Sequence, residues 1–173
     1  MPANVEIKAR LRDPERIRRF LEDATGGPPQ VIEQEDTFFP VSSGRLKIRI
    51  LGHGRGELIA YRRAEAAGPK VSEYLVVPTT EPALLRDALA AALGVRGTVR
   101  KTRLLFLVGA TRIHLDTVER LGEFLELEVV LRAGQTIAMG EDVARELMGW
   151  LGIEGQDLLE EAYIDMIERL GAG

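Results

Sequence analysis

Three segments carry a basic residue at every second position: Lys8 with Arg10, Lys47 with Arg49, and Lys101 with Arg103. Arg62 and Arg112 add cations in two further segments, and carboxylates come from Glu6 beside Lys8, from the pair Glu126 and Glu128, and from Asp116 in step with Arg112 and His114. In a β-strand alternate residues share a face, so each set projects to one side. Taken singly, such pairs are ordinary solvated faces. Taken together they raise a sharper possibility, because strands with one polar and one apolar face can curl so that the polar faces line an interior. Many inward cations then need anions, since unpaired buried charge is costly. The acids could neutralise them as structural ion pairs. They could also hold a hard divalent cation, Mg2+ or Mn2+, which prefers carboxylate and phosphate oxygen. A polyphosphate with its metal satisfies both sets at once, and at this point both readings stand.

The elements that must position these residues are legible from periodicity. Asn4 to Leu11 alternates Val5, Ile7, Ala9 and Leu11 with Asn4, Glu6, Lys8 and Arg10. Asp13-Pro14-Glu15 reads as a helix start, with a capping carboxylate, a proline suited to the first helical position and an acid in the first turn. Ile17, Phe20, Leu21 and Ala24 form its apolar stripe, and Gly26-Gly27-Pro28-Pro29 ends it. Strands are expected at 31–40, 45–51, 57–63, 70–78, 99–108, 112–119 and 124–131, and 64–69 reads as a mobile small-residue linker. A second helix starts at Thr80-Glu81-Pro82, with Leu84, Leu85, Ala88, Leu89 and Ala92 as its inner face and Gly94 as its cap. Two helices, 137–151 and 157–170, close the chain. Eight strands and four helices in this order predict an α+β fold, a mostly antiparallel eight-stranded barrel or tunnel with about four helices packed outside. The glycines at 52, 54 and 56 fall in a hairpin and not between a strand and a helix, so they do not read as a phosphate loop.

Composition narrows the class. A length of 173 residues suits one domain spanning 1–173. The hydrophobic share of 45% argues against wholesale disorder, and a net charge of −4 against a general nucleic-acid binder. No cysteine is present, which excludes disulfides, thiolate metal sites and cysteine nucleophiles. The first residues do not form a secretory signal and no apolar run approaches membrane-spanning length, so a cytoplasmic protein without a membrane partner is expected.

The ordered set of segments resembles the CYTH superfamily, which includes class IV adenylyl cyclases and thiamine triphosphatases. Glu6-x-Lys8 resembles the end of the E-x-E-x-K signature, Leu46-Lys47-Ile48-Arg49 the basic third strand, and Leu58 to Arg63 the fourth. Ser72-Glu73-Tyr74 follows, then Val99-Arg100-Lys101-Thr102-Arg103, Arg112-Ile113-His114-Leu115-Asp116, and Leu121 to Glu128 in the pattern L-G-x-F-x-E-x-E. The order is kept from residue 4 to 128, and the class IV cyclase-like members are nearest. The resemblance implies an eight-stranded tunnel, open at both ends, that holds a triphosphate. It implies metal ligands at Glu6, Glu126 and Glu128, with Asp116 as a further ligand or a residue supporting them. Phosphate contacts fall to Lys8, Lys47, Arg49, Arg62, Lys101, Arg103 and Arg112, and the catalytic set to Glu6, Lys8, Arg112 and Asp116. Arg62 and Arg63 are adjacent and cannot both face inward; Arg62 is taken as the inward one. His114 reads as a hydrogen-bonded spacer. One position departs from the signature. Asn4 stands where the first glutamate belongs, offering a neutral carbonyl oxygen in place of a carboxylate, which implies weaker metal affinity and leaves the number of metals open.

Two chemistries are implied on this scaffold with Mg2+ or Mn2+ as cofactor. In a cyclase the ribose 3′-hydroxyl of ATP attacks the α-phosphorus and pyrophosphate leaves. In a triphosphatase water attacks the terminal phosphorus of an organic or inorganic triphosphate. The cyclase is the first reading, the triphosphatase the second, and a non-catalytic nucleotide- or polyphosphate-binding module the third. ATP or another triphosphate is the expected partner, and a homodimer is common among the family's cyclases.

Overall fold

The computed structural model describes residues 3–63 and 68–171; most of the expected 64–69 linker lies outside them. The elements in order are β1 (Ala3–Arg10), α1 (Pro14–Thr25), β2 (Gln30–Phe39), β3 (Arg45–Leu51), β4 (Arg55–Arg63), β5 (Lys70–Thr79), α2 (Pro82–Leu93), β6 (Gly97–Val108), β7 (Thr111–Val118), β8 (Gly122–Val130), α3 (Ile137–Leu151), a 3-10 turn (Gly155–Asp157) and α4 (Tyr163–Gly171). The strands close into a barrel in the order β1-β5-β4-β3-β2-β6-β7-β8, with every pairing antiparallel. The expected α+β barrel with four helices outside is therefore the observed fold.

The period-two pattern decides which side faces out. Val5, Ile7 and Ala9 of β1, Ile113 and Leu115 of β7, and Leu125, Leu127 and Val129 of β8 are buried beneath α3 and α1, against Ala144, Leu147, Leu151, Ile17 and Leu21. Helix α3 reaches the barrel closely because Gly140 has no side chain: a Cβ there would lie 2.8 Å from Val5 Cγ2 and 2.7 Å from Leu131 Cδ2. Helix α1 starts as its sequence requires, with Asp13 accepting from the Arg16 backbone N–H at 3.1 Å.

Three expectations are corrected. The inner stripe of α2 is Pro82, Leu85, Arg86 and Leu89, while Leu84 is 64% exposed. Pro82 is wedged against Gly56 and Arg86 is drawn to Glu35 of β2 (3.3 Å), which turns the helix away from its most apolar face. The last helix begins at Tyr163, not at 157. Asp157 caps the 3-10 turn and binds Arg12, Leu158 then bridges to Ala9, and the Leu159 N–H donates to the Lys8 carbonyl. Residues 158–162 thus run across one end of the barrel. Ile164 follows, fully buried beside Phe38, Val99, Val118 and Phe124. This end is stopped, in contrast to the tunnel open at both ends that the resemblance implied. No helix among the described residues is long and apolar enough to cross a membrane.

Candidate active site

The polar faces of the strands enclose a cavity of about 780 Å3. Glu6, Lys8, Lys47, Arg49, Lys101, Arg103, Arg112, Glu126 and Glu128 all line it. Asp116 is on the same side but is covered by Lys101, Arg103 and Tyr163, its carboxylate without solvent exposure. Arg62 is not in the cavity. On β4 the lining residues are Arg55, Glu57, Ile59 and Tyr61, so Arg62 takes the opposite face, where it is exposed and donates to Ser43 Oγ at 3.0 Å. Strand parity overturns its assignment as an inward phosphate ligand; the Arg63 side chain lies outside the described residues.

Strand register sets which interior charges face each other. Asp36 lies directly across from Arg49, Arg103 from Asp116, Lys8 from Glu126, Glu6 from Glu128, His114 from Glu126 and Arg112 from Glu128. Asp36 accepts from Arg49 Nε (2.9 Å) and Nη2 (3.1 Å) and from Lys47 Nζ (2.5 Å). Burial alone would raise its pKa, but the charges of Arg49 and Lys47 overcome burial and hold the carboxyl well below the usual carboxylate range. Burial in turn lowers Lys47 to about 8, although Asp36 acts to raise it. Asp116 accepts from Lys101 Nζ (2.8 Å), from Arg103 Nε and Nη2 (2.7 Å each) and from the Tyr163 hydroxyl (3.1 Å). Burial opposes its ionisation, and Lys101 and Arg103 outweigh that to bring it to about 2.

Glu126 is held by Arg103 Nη2 at 2.5 Å and faces Lys8 Nζ at 3.4 Å. Against the raising effect of burial, Lys101 and Arg103 keep it well below its ordinary value. His114, 4% exposed, presents Nδ1 at 3.8 Å from an oxygen of Glu126 and 3.8 Å from one of Glu128. That is too long for a hydrogen bond, and Nδ1 has no hydrogen-bond partner among the described residues. The spacer role expected for His114 is therefore not met at Nδ1. Burial, with Arg103 adding to it, pushes its pKa down and keeps the ring neutral. These three side chains bring one ligand atom each within 4.8 Å of one another. The buried Oδ1 of Asn4, on the next inward position beyond Glu6, is likewise without a partner. Two carboxylates and a neutral imidazole nitrogen are a donor set that fits a divalent metal.

Of the lining residues that escaped the sequence reading, Asp36 and Tyr163 matter most to the site. Asp36 belongs to a strand that is polar on both faces: Gln34 and Asp36 point inward, while Glu33, which also reaches the cavity lining, and Glu35 alternate with them and accept from Thr102 and Arg100, so alternation gave no signal. Tyr163 arrives from α4 at the stopped end. Lys8 Nζ lies 3.7 Å and Lys101 Nζ 4.8 Å from the centre of its ring. At the other end Gln30, Ile32, Leu51, Val76, Leu105 and Arg112 rim the mouth, a mixed apolar and basic collar.

Residues 2–163 match the sequence profile of the CYTH domain family. The chain belongs to the CYTH family. None of the curated proteins compared with it matches significantly in sequence. Solved structures share the CYTH chain's fold. The PH1012 protein of Pyrococcus horikoshii is 20% identical, with a TM-score of 0.80 over 94% of this chain and 98% of its own. A candidate adenylate cyclase from Vibrio parahaemolyticus is 16% identical, with a TM-score of 0.75 over 95% of this chain and 97% of its own. A candidate adenylyl cyclase from Hippeastrum, described as having a dominant triphosphatase activity, is 18% identical, with a TM-score of 0.65 over 97% of this chain and 96% of its own. At these identities the likeness carries the fold, and the chemistry has to come from the cavity itself.

Proposed function

We propose that this CYTH protein is a divalent-metal-dependent enzyme that acts on a nucleoside triphosphate inside the cavity, in the manner of a class IV adenylyl cyclase, forming cyclic AMP and pyrophosphate from ATP. The observation that carries this reading is the division of charge across one barrel. Lys47 and Arg49 on β3 lie across the interior from Glu6, Glu126 and Glu128 on β1 and β8, with Lys101 and Arg103 of β6 between the two walls. A triphosphate fits against the basic wall. A divalent metal on the acidic wall, held by Glu6, Glu126 and Glu128, would supply neutralisation of the charge that develops on the phosphate oxygens. Arg49 and Arg103 offer guanidinium forks to phosphate, and Lys8, Lys47 and Lys101 offer point charges toward the stopped end, where the leaving pyrophosphate would sit. Arg112, at the rim beside Glu128 (3.6 Å), would meet the α-phosphate. Asp116 positions Lys101 and Arg103 from behind. The collar of Ile32, Leu51, Val76 and Leu105 offers an apolar surface for a base, which supports a nucleotide over inorganic triphosphate. The reading takes residues 1–173 as one unit working in the cytoplasm.

A second reading, hydrolysis of the terminal phosphate, has one finding in its favour: the Hippeastrum protein of the same fold is described as a dominant triphosphatase. Product analysis with ATP and Mn2+ separates the two. Cyclic AMP and pyrophosphate support the cyclase; orthophosphate with no cyclic AMP supports the hydrolase. No turnover of either ATP or tripolyphosphate contradicts both.

A further inference from the structure

We propose that His114 is itself a metal ligand, through Nδ1, and that it biases the acidic wall toward first-row transition ions such as Mn2+, Co2+ and Zn2+ over Mg2+. The inference rests on the metal-dependent reading above and adds to it which donor atom selects the ion. The glutamates alone would not discriminate: carboxylate oxygen serves Mg2+ and Mn2+ alike. The imidazole changes the donor set. His114 stands directly across β7 and β8 from Glu126, and its Nδ1 is 3.8 Å from both Glu126 and Glu128. The ring is 4% exposed, so water does not readily serve Nδ1, and no protein group among the described residues does. A buried polar nitrogen without a partner is destabilising unless something fills the site. An ion between the two carboxylates and Nδ1 would give Nδ1 the partner it lacks and share the carboxylates with Arg103, Lys8 and Arg112. Imidazole nitrogen binds first-row transition ions well and Mg2+ poorly, since Mg2+ keeps oxygen ligands and sheds water reluctantly.

The chain has two histidines, and the other, His53, is exposed in the β3–β4 turn, so the imidazole signals separate cleanly by NMR. The test titrates the nucleotide-free protein with Zn2+ while following 15N shifts of both rings. It also measures Mn2+, Co2+ and Mg2+ binding by calorimetry for the wild type, His114→Gln, His114→Asn and Glu126→Gln. The expected result is a large Nδ1 shift at His114 with His53 unmoved. Mn2+ and Co2+ should bind at least roughly tenfold more tightly than Mg2+, a preference that both His114 variants remove while Mg2+ affinity changes little. The proposal is overturned if Zn2+ saturates the protein with the His114 ring unmoved, or if folded His114 variants keep the preference. Should Glu126→Gln leave all metal binding intact, the acidic wall is not the metal site and the functional reading falls with it. Loss of binding in Glu126→Gln with an unchanged preference in the His114 variants sinks this inference alone. The zinc titration needs no substitution, so a variant that fails to fold does not remove the test.

Discussion

Replacing Asp36 by Asn probes whether the basic wall is held ready for an anion. Asp36 is nearly fully buried and is the shared partner of Lys47 and Arg49, which are themselves mostly buried, at 13% and 20% side-chain exposure. The amide keeps the shape but removes the charge, leaving two cations facing each other in a confined interior. Breaking a buried pair by removing one partner costs about 3–5 kcal/mol. The lower end applies, because Lys47, whose pKa is already down to about 8, can shed its proton and relieve part of the repulsion. A loss of about 3 kcal/mol in a chain of this size lowers Tm by about 6–12 °C. The bound state should behave differently. In the wild type a triphosphate competes with Asp36 for the two cations; in the variant it replaces the missing charge. Thermal melts with and without a non-hydrolysable ATP analogue and Mn2+ should therefore show a larger ligand-induced rise in Tm for Asp36→Asn than for the wild type. A ligand shift equal to or smaller than that of the wild type would refute the reasoning, because it would mean that Lys47 and Arg49 do not meet the ligand.

Four other outcomes can be measured. Since burial lowers the folded Lys47 pKa from 10.5 to about 8, its charge is lost as pH rises through about 8, and triphosphate affinity measured by calorimetry should weaken above that pH; Lys47→Arg should flatten the profile. In the ligand-free protein the sign is opposite: between about pH 8 and 10.5 the unfolded chain holds more protons at this site, so the Lys47 contribution to stability in denaturant melts rises with pH. Tyr163→Phe keeps the ring beneath Lys8 and drops only the bond to Asp116, whereas Tyr163→Leu drops both; the Leu variant should bind triphosphate about tenfold more weakly than the Phe variant, in line with about 1–2 kcal/mol for a desolvated cation–π contact. Arg62→Ala should leave the triphosphate Kd within about twofold of the wild type, because an exposed residue on the outer face does not meet the ligand.

Much of the site was readable because strand alternation is a local property. Lys47 and Arg49, and Glu126 and Glu128, alternate with apolar residues, so the inward face was marked on both sides; Lys101 and Arg103, with Arg100 and Thr102 beside them, were legible only from their spacing of two. Where that marking fails, so does the reading. Strand β2 is charged on both faces, which hid Asp36, and the consecutive cations Arg62 and Arg63 carry no alternation, which led to the wrong choice of Arg62. Tyr163 and the stopped end depend on a return of the chain to β1 from more than 140 residues away, through Leu158, Leu159 and Lys8. No local pattern encodes that contact. The orphaned Nδ1 of His114 is of the same kind, visible only once β7 and β8 are in register.

The central claim is that one interior holds a triphosphate against its basic wall and a divalent ion against its acidic wall. A crystal structure of the protein with a non-hydrolysable ATP analogue and Mn2+ tests it directly. The account predicts phosphate oxygens within hydrogen-bonding distance of Lys47, Arg49, Lys101 and Arg103, and Mn2+ between the phosphates and Glu126 and Glu128. An analogue bound outside the barrel, with the Asp36 and Asp116 ion pairs undisturbed, would contradict it.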